Sequence, residues 1–247
     1  MKYNLNEIYN DDSYDAIKHI PDKSIDLVII DPPYVIDDCG GGGAFGVKNR
    51  NYHKDVTLKL NYGITDKILR EIERVMKRTN IYIFCNKNQV RQYLNFYKDK
   101  NIDILVWHKT NPIPTINNKY LSDLEYIIFA RDKSTPMFNT YETSSKLYQS
   151  ETNKADKKLY EHPTIKPLEF VKRLIQNSSQ ENDVVADFFL GSGTTCVAAK
   201  ELNRQYIGFE IDETYYNMAK DRLNGIDRHH REDKEKGQLS IFDFMGE

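Results

Sequence analysis

The sequence predicts an α/β fold of three layers, Rossmann-like, with a mostly parallel sheet and helices on both faces. Two stretches and the chain length carry that expectation. Ile25-Asp26-Leu27-Val28-Ile29-Ile30 is apolar and rich in β-branched residues, as a buried central strand is, and Asp31-Pro32-Pro33-Tyr34 must end it because proline brings no N–H to the ladder. Far downstream, Val184 to Phe189 reads as a strand, Gly191 and Gly193 as a turn, Thr194 to Leu202 as a helix and Tyr206 to Phe209 as the next strand. With 247 residues the chain forms one α/β domain with a full core and hardly has room for two.

The double-proline elbow is suited to a particular chemistry. Asp31 offers an acceptor, the Pro32 carbonyl is left without a ladder partner, Pro33 stiffens the turn, and the Tyr34 ring presents a flat stacking face. An exocyclic amino group on a planar base needs two acceptors for its hydrogens and an aromatic platform for its ring. A strand that simply ends in a proline turn is the competing interpretation, since a four-residue motif is short.

The downstream βαβ half looks built for a nucleotide. Glycines stand where a ligand must approach the main chain without a Cβ in the way. Glu210 lies about twenty residues beyond them at the end of the second strand, where a carboxylate can take two ribose hydroxyls. The turn carries no basic residue, and Cys196 stands where the third glycine of a dinucleotide fingerprint would be. A nucleoside without phosphates fits better than a dinucleotide.

Taken together, these elements resemble the amino-methylating (N6-adenine/N4-cytosine) DNA methyltransferases that use S-adenosylmethionine. The resemblance rests on D-P-P-Y at 31–34, on His162-Pro163-Thr164-Ile165-Lys166-Pro167, and on F-x-G-S-G-T-T at 189–195, over most of the chain. The order, catalytic motif first and cofactor motif last, is that of the β group. Trp107 to Pro112 and Glu125 to Arg131 fall where that group has its intervening strands, and a sheet of about seven strands is implied. One departure is Asp187-Phe188-Phe189, where the family usually has D-P-F, so an altered backbone at Phe188 is expected.

The resemblance implies roles for individual residues. Asp31, Pro32, Pro33 and Tyr34 are catalytic. Asp187, Gly191 and Gly193 surround the methionine part of the cofactor, with Phe189, Ser192 and Thr194 in the same motif, and Glu210 holds the ribose. Asp12 faces the adenine end, and Thr164 and Lys166 close the other side of the pocket. Plainer roles stand beside these: Asp11 or Asp12 also suits capping of a helix from Tyr14 to Ile20, and Lys166 also suits a solvated lysine before a proline turn. Direct in-line transfer suffices, because Asp31 and the Pro32 carbonyl can localise the amine lone pair by accepting its hydrogens. None of Cys39, Cys85 and Cys196 follows a proline as a cytosine-carbon nucleophile would. The base has to leave the duplex and stack, on Tyr34.

Composition agrees. A formal charge of −2 and a pI near 6.3 give no bulk attraction to DNA, so phosphate contacts must come from local groups such as Lys109, Lys119, Arg131, Lys133, Lys146, Lys154, Lys157 and Lys158. The same residues also suit a merely solvated surface. Three scattered cysteines supply no metal site or disulfide framework. The polar start is no signal peptide and no stretch is apolar enough to span a bilayer, which points to the cytoplasm.

The remaining segments suggest how DNA is held. Cys39 to Gly46, with four consecutive glycines, is expected to be a mobile lid. The polar, weakly periodic interval 132–161 falls where the β group has its target-recognition region. It is short, so either the recognition site is brief or a second subunit or another protein helps; monomer and homodimer both remain open. The expected division is a methyltransferase domain at 1–226 (catalytic 1–131, target recognition 132–161, cofactor 162–226), a charged linker at 227–237 and an apolar peptide at 238–247. Gln238 to Phe242 resembles the Q-L-S-L-F peptide that docks on the bacterial sliding clamp, and equally suits a tail folded on its own domain. Adenine in DNA is the leading substrate, with N4 of cytosine the runner-up, because family members acting on cytosine more often have serine where this chain has Asp31. The same fold also methylates RNA and protein glutamine. From a different class, a clamp-tethered DNA-binding adaptor with a dead catalytic core would carry the same C-terminal peptide.

Overall fold

Apolar strands alternating with amphipathic helices have to bury two sheet faces, and the computed structural model shows two cores, one on each side of a single sheet. It describes residues 2–35, 63–112, 114, 120–152 and 165–226. Among the described residues the strands are eight: β1 (Glu7–Asn10), β2 (Leu27–Ile30), β3 (Asn80–Cys85), β4 (Asn101–Lys109), β5 (Leu124–Arg131), β6 (Leu147–Ser150), β7 (Val184–Asp187) and β8 (Gln205–Glu210). Their order across the sheet is β1-β8-β7-β2-β3-β5-β4-β6, and every neighbouring pair is parallel except the two that β5 makes.

Strand alternation divides the core. Val28 and Ile30 of β2 with Ile81, Ile83 and Cys85 of β3 face one side, against α1 (Ser13–Ala16), α2 (Asp66–Val75) and α3 (Val90–Phe96). Leu27, Ile29, Tyr82 and Phe84 face the other, against α4 (Leu168–Ser178), α5 (Thr194–Glu201) and α6 (Glu213–Leu223). All four residues of β2 are buried, as a central parallel strand requires.

The sheet has one strand more than expected. β6 lies in the interval assigned to target recognition and pairs with β4 as an edge strand. Its four residues are too few to stand out as a periodic pattern, and Tyr148 is fixed by stacking on Phe170 from α4, 4.4 Å between ring centroids. The helix expected at Tyr14 to Ile20 is instead α1 followed by a 3₁₀ turn at Ile17–His19. Arg74 of α2 holds that turn, its guanidinium donating to the carbonyls of Ile17 and Ile20 at 2.8 and 3.0 Å.

Topology puts the functional ends on one rim. From β2 the chain crosses through α2 to β3 on one side, and from β7 it crosses through α5 to β8 on the other, so the winding reverses between β7 and β2. Ligands of open α/β sheets bind at the carboxyl ends of the strands at such a point. Because β5 runs backwards, its first residues, Leu124 and Glu125, arrive at that same rim.

Candidate active site

Asp31 leaves the end of β2 beside a cavity of about 370 Å³ lined by the D-P-P-Y residues with Trp107, Lys109, Glu125, Thr152, Ile165 and Lys166. Neighbouring loops hold the elbow from behind. Gln89, 1% exposed, donates through Nε2 to the Pro33 carbonyl at 3.0 Å, and Asn86 Nδ2 donates to the Val35 carbonyl at 2.7 Å. The backbone after the double proline is therefore fixed by side chains that follow β3.

The two oxygens of Asp31 differ. Oδ2 takes the Lys166 ammonium at 2.6 Å, whereas Oδ1 is buried and has no hydrogen-bond partner among the described residues. Buried acceptors are almost always satisfied, and an unpaired one costs about 1–3 kcal/mol. Burial raises the Asp31 pKa above its ordinary value, with Lys166 opposing and Glu125 adding to the rise.

Lys166 is not a solvated lysine. It is 8% exposed, and its ammonium meets Asp31 Oδ2, Glu125 Oε1 at 2.7 Å and the Tyr34 hydroxyl at 3.4 Å. Burial works against its charge, yet the two carboxylates outweigh it and hold the pKa above the ordinary lysine value. The side chain thus faces the D-P-P-Y cavity. Glu125, 6% exposed, also takes Lys109 on Oε2 at 2.7 Å and the Tyr34 hydroxyl on Oε1 at 2.7 Å. Burial raises its pKa but Lys166 and Lys109 more than compensate and bring it down to about 2. Lys109, a candidate for phosphate contact, instead closes this cavity over the Trp107 ring. Tyr34 lines the cavity with its hydroxyl tethered, which fixes the ring plane.

On the other side of the winding reversal, Asp187 ends β7 and Glu210 ends β8. Asp187 Oδ1 accepts from the Phe189 N–H at 3.0 Å, and burial pushes its pKa up to about 7, with Thr195 opposing and the charges of Asp31 and Glu210 adding. Glu210 accepts from the Gly191 N–H at 2.7 Å and the Asp212 N–H at 2.9 Å, while burial still raises its pKa. Gly193 has φ 78°, and a Cβ there would lie 3.0 Å from that of Ala219. Gly191 also has positive φ, at 52°. Ser192 and Thr194 are tied from behind: Arg222 of α6 donates to the Ser192 carbonyl at 3.1 Å and to Thr194 Oγ1 at 2.7 Å. Asp12 caps α1, accepting from the Tyr14 N–H at 2.8 Å. Phe188, at the departure from D-P-F, is fully buried and stacks on Phe209 at 5.8 Å, with its carbonyl taking the Ser13 hydroxyl. Phe189 is partly buried against the same core.

Several expectations fall outside the described residues: Thr164, the glycine lid at 39–46, Lys119, Lys154, Lys157, Lys158, the end of the target-recognition interval, the linker and the 238–247 peptide. Cys85 and Cys196 are buried free thiols, the first pushed up to about 12 by burial, so neither is a ready nucleophile. Among the described residues no cluster of three or more His, Cys, Asp or Glu side chains suits a metal ion, and no helix is long and apolar enough to cross a membrane.

The carboxylates at the ends of β2, β7 and β8, whose pKa burial raises, can accept hydrogen bonds from an amine and offset a cationic ligand, and comparison with known proteins says to which family such a site belongs. Residues 25–221 match the family model described as DNA methylase, and the chain belongs to this family of amino-methylating DNA methyltransferases. It is 30% identical over 235 residues to the type II methyltransferase M2.LlaDCHI of Lactococcus lactis subsp. cremoris, covering 86% of this chain and 87% of that protein. With M2.DpnII of Streptococcus pneumoniae the identity is 29% over 244 residues, 90% and 91% of the two chains. Among solved structures, the M1.HpyAVI-SAM complex is 27% identical with a TM-score of 0.67, covering 88% of this chain and 98% of that one. The cytosine-N4-specific PvuII DNA methyltransferase has a TM-score of 0.66 at 18% identity and shares the fold.

S-adenosylmethionine is the cofactor. The residues present fit it on electrostatic grounds. Asp187 and Glu210 sit at the ends of the adjacent strands β7 and β8, and burial raises the pKa of each. A ligand that brings a sulfonium, an ammonium and a ribose diol relieves that strain in the ionised form.

Proposed function

We propose that this chain methylates the exocyclic N6 of adenine at a specific DNA site, with the base turned out of the duplex into the cavity beside Asp31. The observation that carries this is the Asp31 carboxylate at the cavity wall, whose Oδ1 has no hydrogen-bond partner among the described residues, since a planar amine delivers the donor that oxygen lacks. The aspartate at the head of D-P-P-Y favours adenine over cytosine.

In this mechanism the chain positions and polarises, and the bound cofactor supplies the methyl carbon on a sulfonium that departs as a neutral thioether. Asp31 Oδ1 accepts one amine hydrogen and the Pro32 carbonyl the other, turning the nitrogen lone pair toward the methyl group. Asp31 also holds the proton that nitrogen sheds once its lone pair has formed the new C–N bond. Tyr34 carries the base on its ring. Asp187, Phe189, Gly191, Ser192, Gly193 and Thr194 form the wall around the methionine part, Glu210 takes the ribose, and Asp12 and Thr164 border the cofactor, with Lys166 joining that pocket to the cavity. Methylated DNA digested to nucleosides should yield N6-methyl-2'-deoxyadenosine by mass; N4-methyl-2'-deoxycytidine as the sole product would transfer the assignment to cytosine.

Residues 1–226 are the methyltransferase domain, within which part of 132–161 contacts the recognition sequence, and the enzyme works in the cytoplasm as a monomer or homodimer. The peptide Gln238 to Phe242 docks on the sliding clamp and carries the enzyme behind replication. A pull-down on purified clamp should retain the full chain and lose it after deletion of residues 238–247, and equal retention of both would eliminate the clamp as partner.

A further inference from the structure

Two basic and two acidic side chains form one line from the cavity wall to the elbow. Lys109 Nζ meets Glu125 Oε2 at 2.7 Å, Glu125 Oε1 meets Lys166 Nζ at 2.7 Å, and Lys166 meets Asp31 Oδ2 at 2.6 Å. The Tyr34 hydroxyl also donates to Glu125 Oε1. Formal charges along the line cancel. Buried ion pairs of this sort are commonly no better for stability than an apolar core of the same shape, so stability alone does not explain four such charges at a site of chemistry.

We propose that Glu125 is a positioning residue for methyl transfer, holding Lys166 on one oxygen of Asp31 and the Tyr34 ring in plane so that only Asp31 Oδ1 is left for the substrate amine. This rests on the role given to Asp31 above. The geometry supports it in three ways. Lys166 has three protons and three acceptors within reach, so it stays where Glu125 and Asp31 together put it. Glu125 in turn has both oxygens occupied and arrives at the rim only because β5 is antiparallel. One side chain also serves two jobs, since the oxygen that anchors Lys166 anchors Tyr34 as well.

The charge of Asp31 is set by every group packed around it. Lys166 favours its ionised form, Glu125 opposes it, the Tyr34 hydroxyl favours it, and Asp187 across on β7 is a like charge. Cys85 on β3 and Tyr93 on α3 stay neutral because burial raises both. Lys109 acts through Glu125.

The test is single-turnover methyl transfer against pH for the full chain, with cofactor affinity measured in parallel by calorimetry. Glu125→Gln should lower the transfer rate by at least about tenfold, with cofactor affinity unchanged, and move the acid limb of the profile to lower pH. Lys109→Met, at the partly exposed end of the line, should move that limb to higher pH, because Glu125 then draws harder on Lys166. Opposite displacements are a signature that mere loosening of the fold does not give. If Glu125→Gln fails to fold, the Lys109→Met profile decides alone, and an unmoved limb there overturns the proposal. Wild-type rates and limbs in both folded variants overturn it too. Asp31→Ala in the same assay separates the two ideas: full activity there removes the Asp31 role itself, whereas loss there with wild-type behaviour at 109 and 125 removes only the positioning claim.

Discussion

Asp31→Ala should slow methyl transfer by on the order of 10²–10³-fold or more while leaving S-adenosylmethionine affinity nearly unchanged, the magnitude typical of removing one fixed group that meets charge developing in a transition state. Asp31→Asn should be similarly damaging despite its nearly identical shape. Its carbonyl oxygen belongs against the Lys166 ammonium, where Oδ2 now sits at 2.6 Å, and that choice places its NH₂ where Oδ1 lies, so that donor faces donor. Rates from radiolabelled methyl transfer and affinities from calorimetry measure the two quantities separately. A variant at position 31 with wild-type rate would remove the catalytic role.

The second large effect concerns Asp187 and pH. With a carboxyl pushed up to about 7, the cofactor-free protein holds that proton through most of the range below neutrality. The folded pKa lies above the unfolded value of 3.8, so the stabilisation is fully present below pH 4 and is lost as pH rises toward 7. Over that window the loss amounts to about 4 kcal/mol for a fully buried group, an order-of-magnitude figure. A cationic cofactor favours the ionised form, so binding should release a proton and should be about tenfold weaker at pH 6 than at pH 8. Calorimetry in buffers of different ionisation enthalpy counts the proton. Asp187→Asn should weaken binding and flatten its pH dependence; an equally steep dependence in that variant would show that another group titrates.

What could be read from the sequence was what sits at the end of a strand. D-P-P-Y and the glycine turn are local patterns, and strand ends bring both to one rim once the sheet is parallel. The pairing of Glu125 with Lys109 and Lys166 is not legible in the sequence for the converse reason. Glu125 and Lys109 are each one charged residue in an otherwise ordinary strand, and only the reversed direction of β5 and its place between β3 and β4 bring Glu125 to Lys166, 41 positions away in the chain. Lys109 looked like a surface lysine because pairing is invisible in composition. Gln89 and Arg222 were missed in the same way, the first gripping the Pro33 carbonyl and the second the glycine turn, both across tertiary contacts. A weak local signal did exist at Gly208 in β8, where an added Cβ would come within 2.8 Å of Leu190 and 2.9 Å of Cys196, but a lone glycine in a strand does not announce what lies above it.

Strand number shows the same limit. β6 has four residues, and its partner β4 precedes it by nearly forty positions, so pairing had to be seen in three dimensions. The Phe188 departure, by contrast, was legible as a difference, and burial of its ring against Phe209 explains how the turn accommodates it.

The most direct measurement is a crystal structure of the full chain with a non-reactive S-adenosylmethionine analogue and a DNA duplex carrying its methylation site. We expect an adenine outside the helix, its N6 within hydrogen-bond distance of Asp31 Oδ1, and the analogue against Asp187 and Glu210. An extrahelical base whose amine lies away from residue 31, or an analogue bound on the Trp107 side of the elbow, would contradict the role given to Asp31.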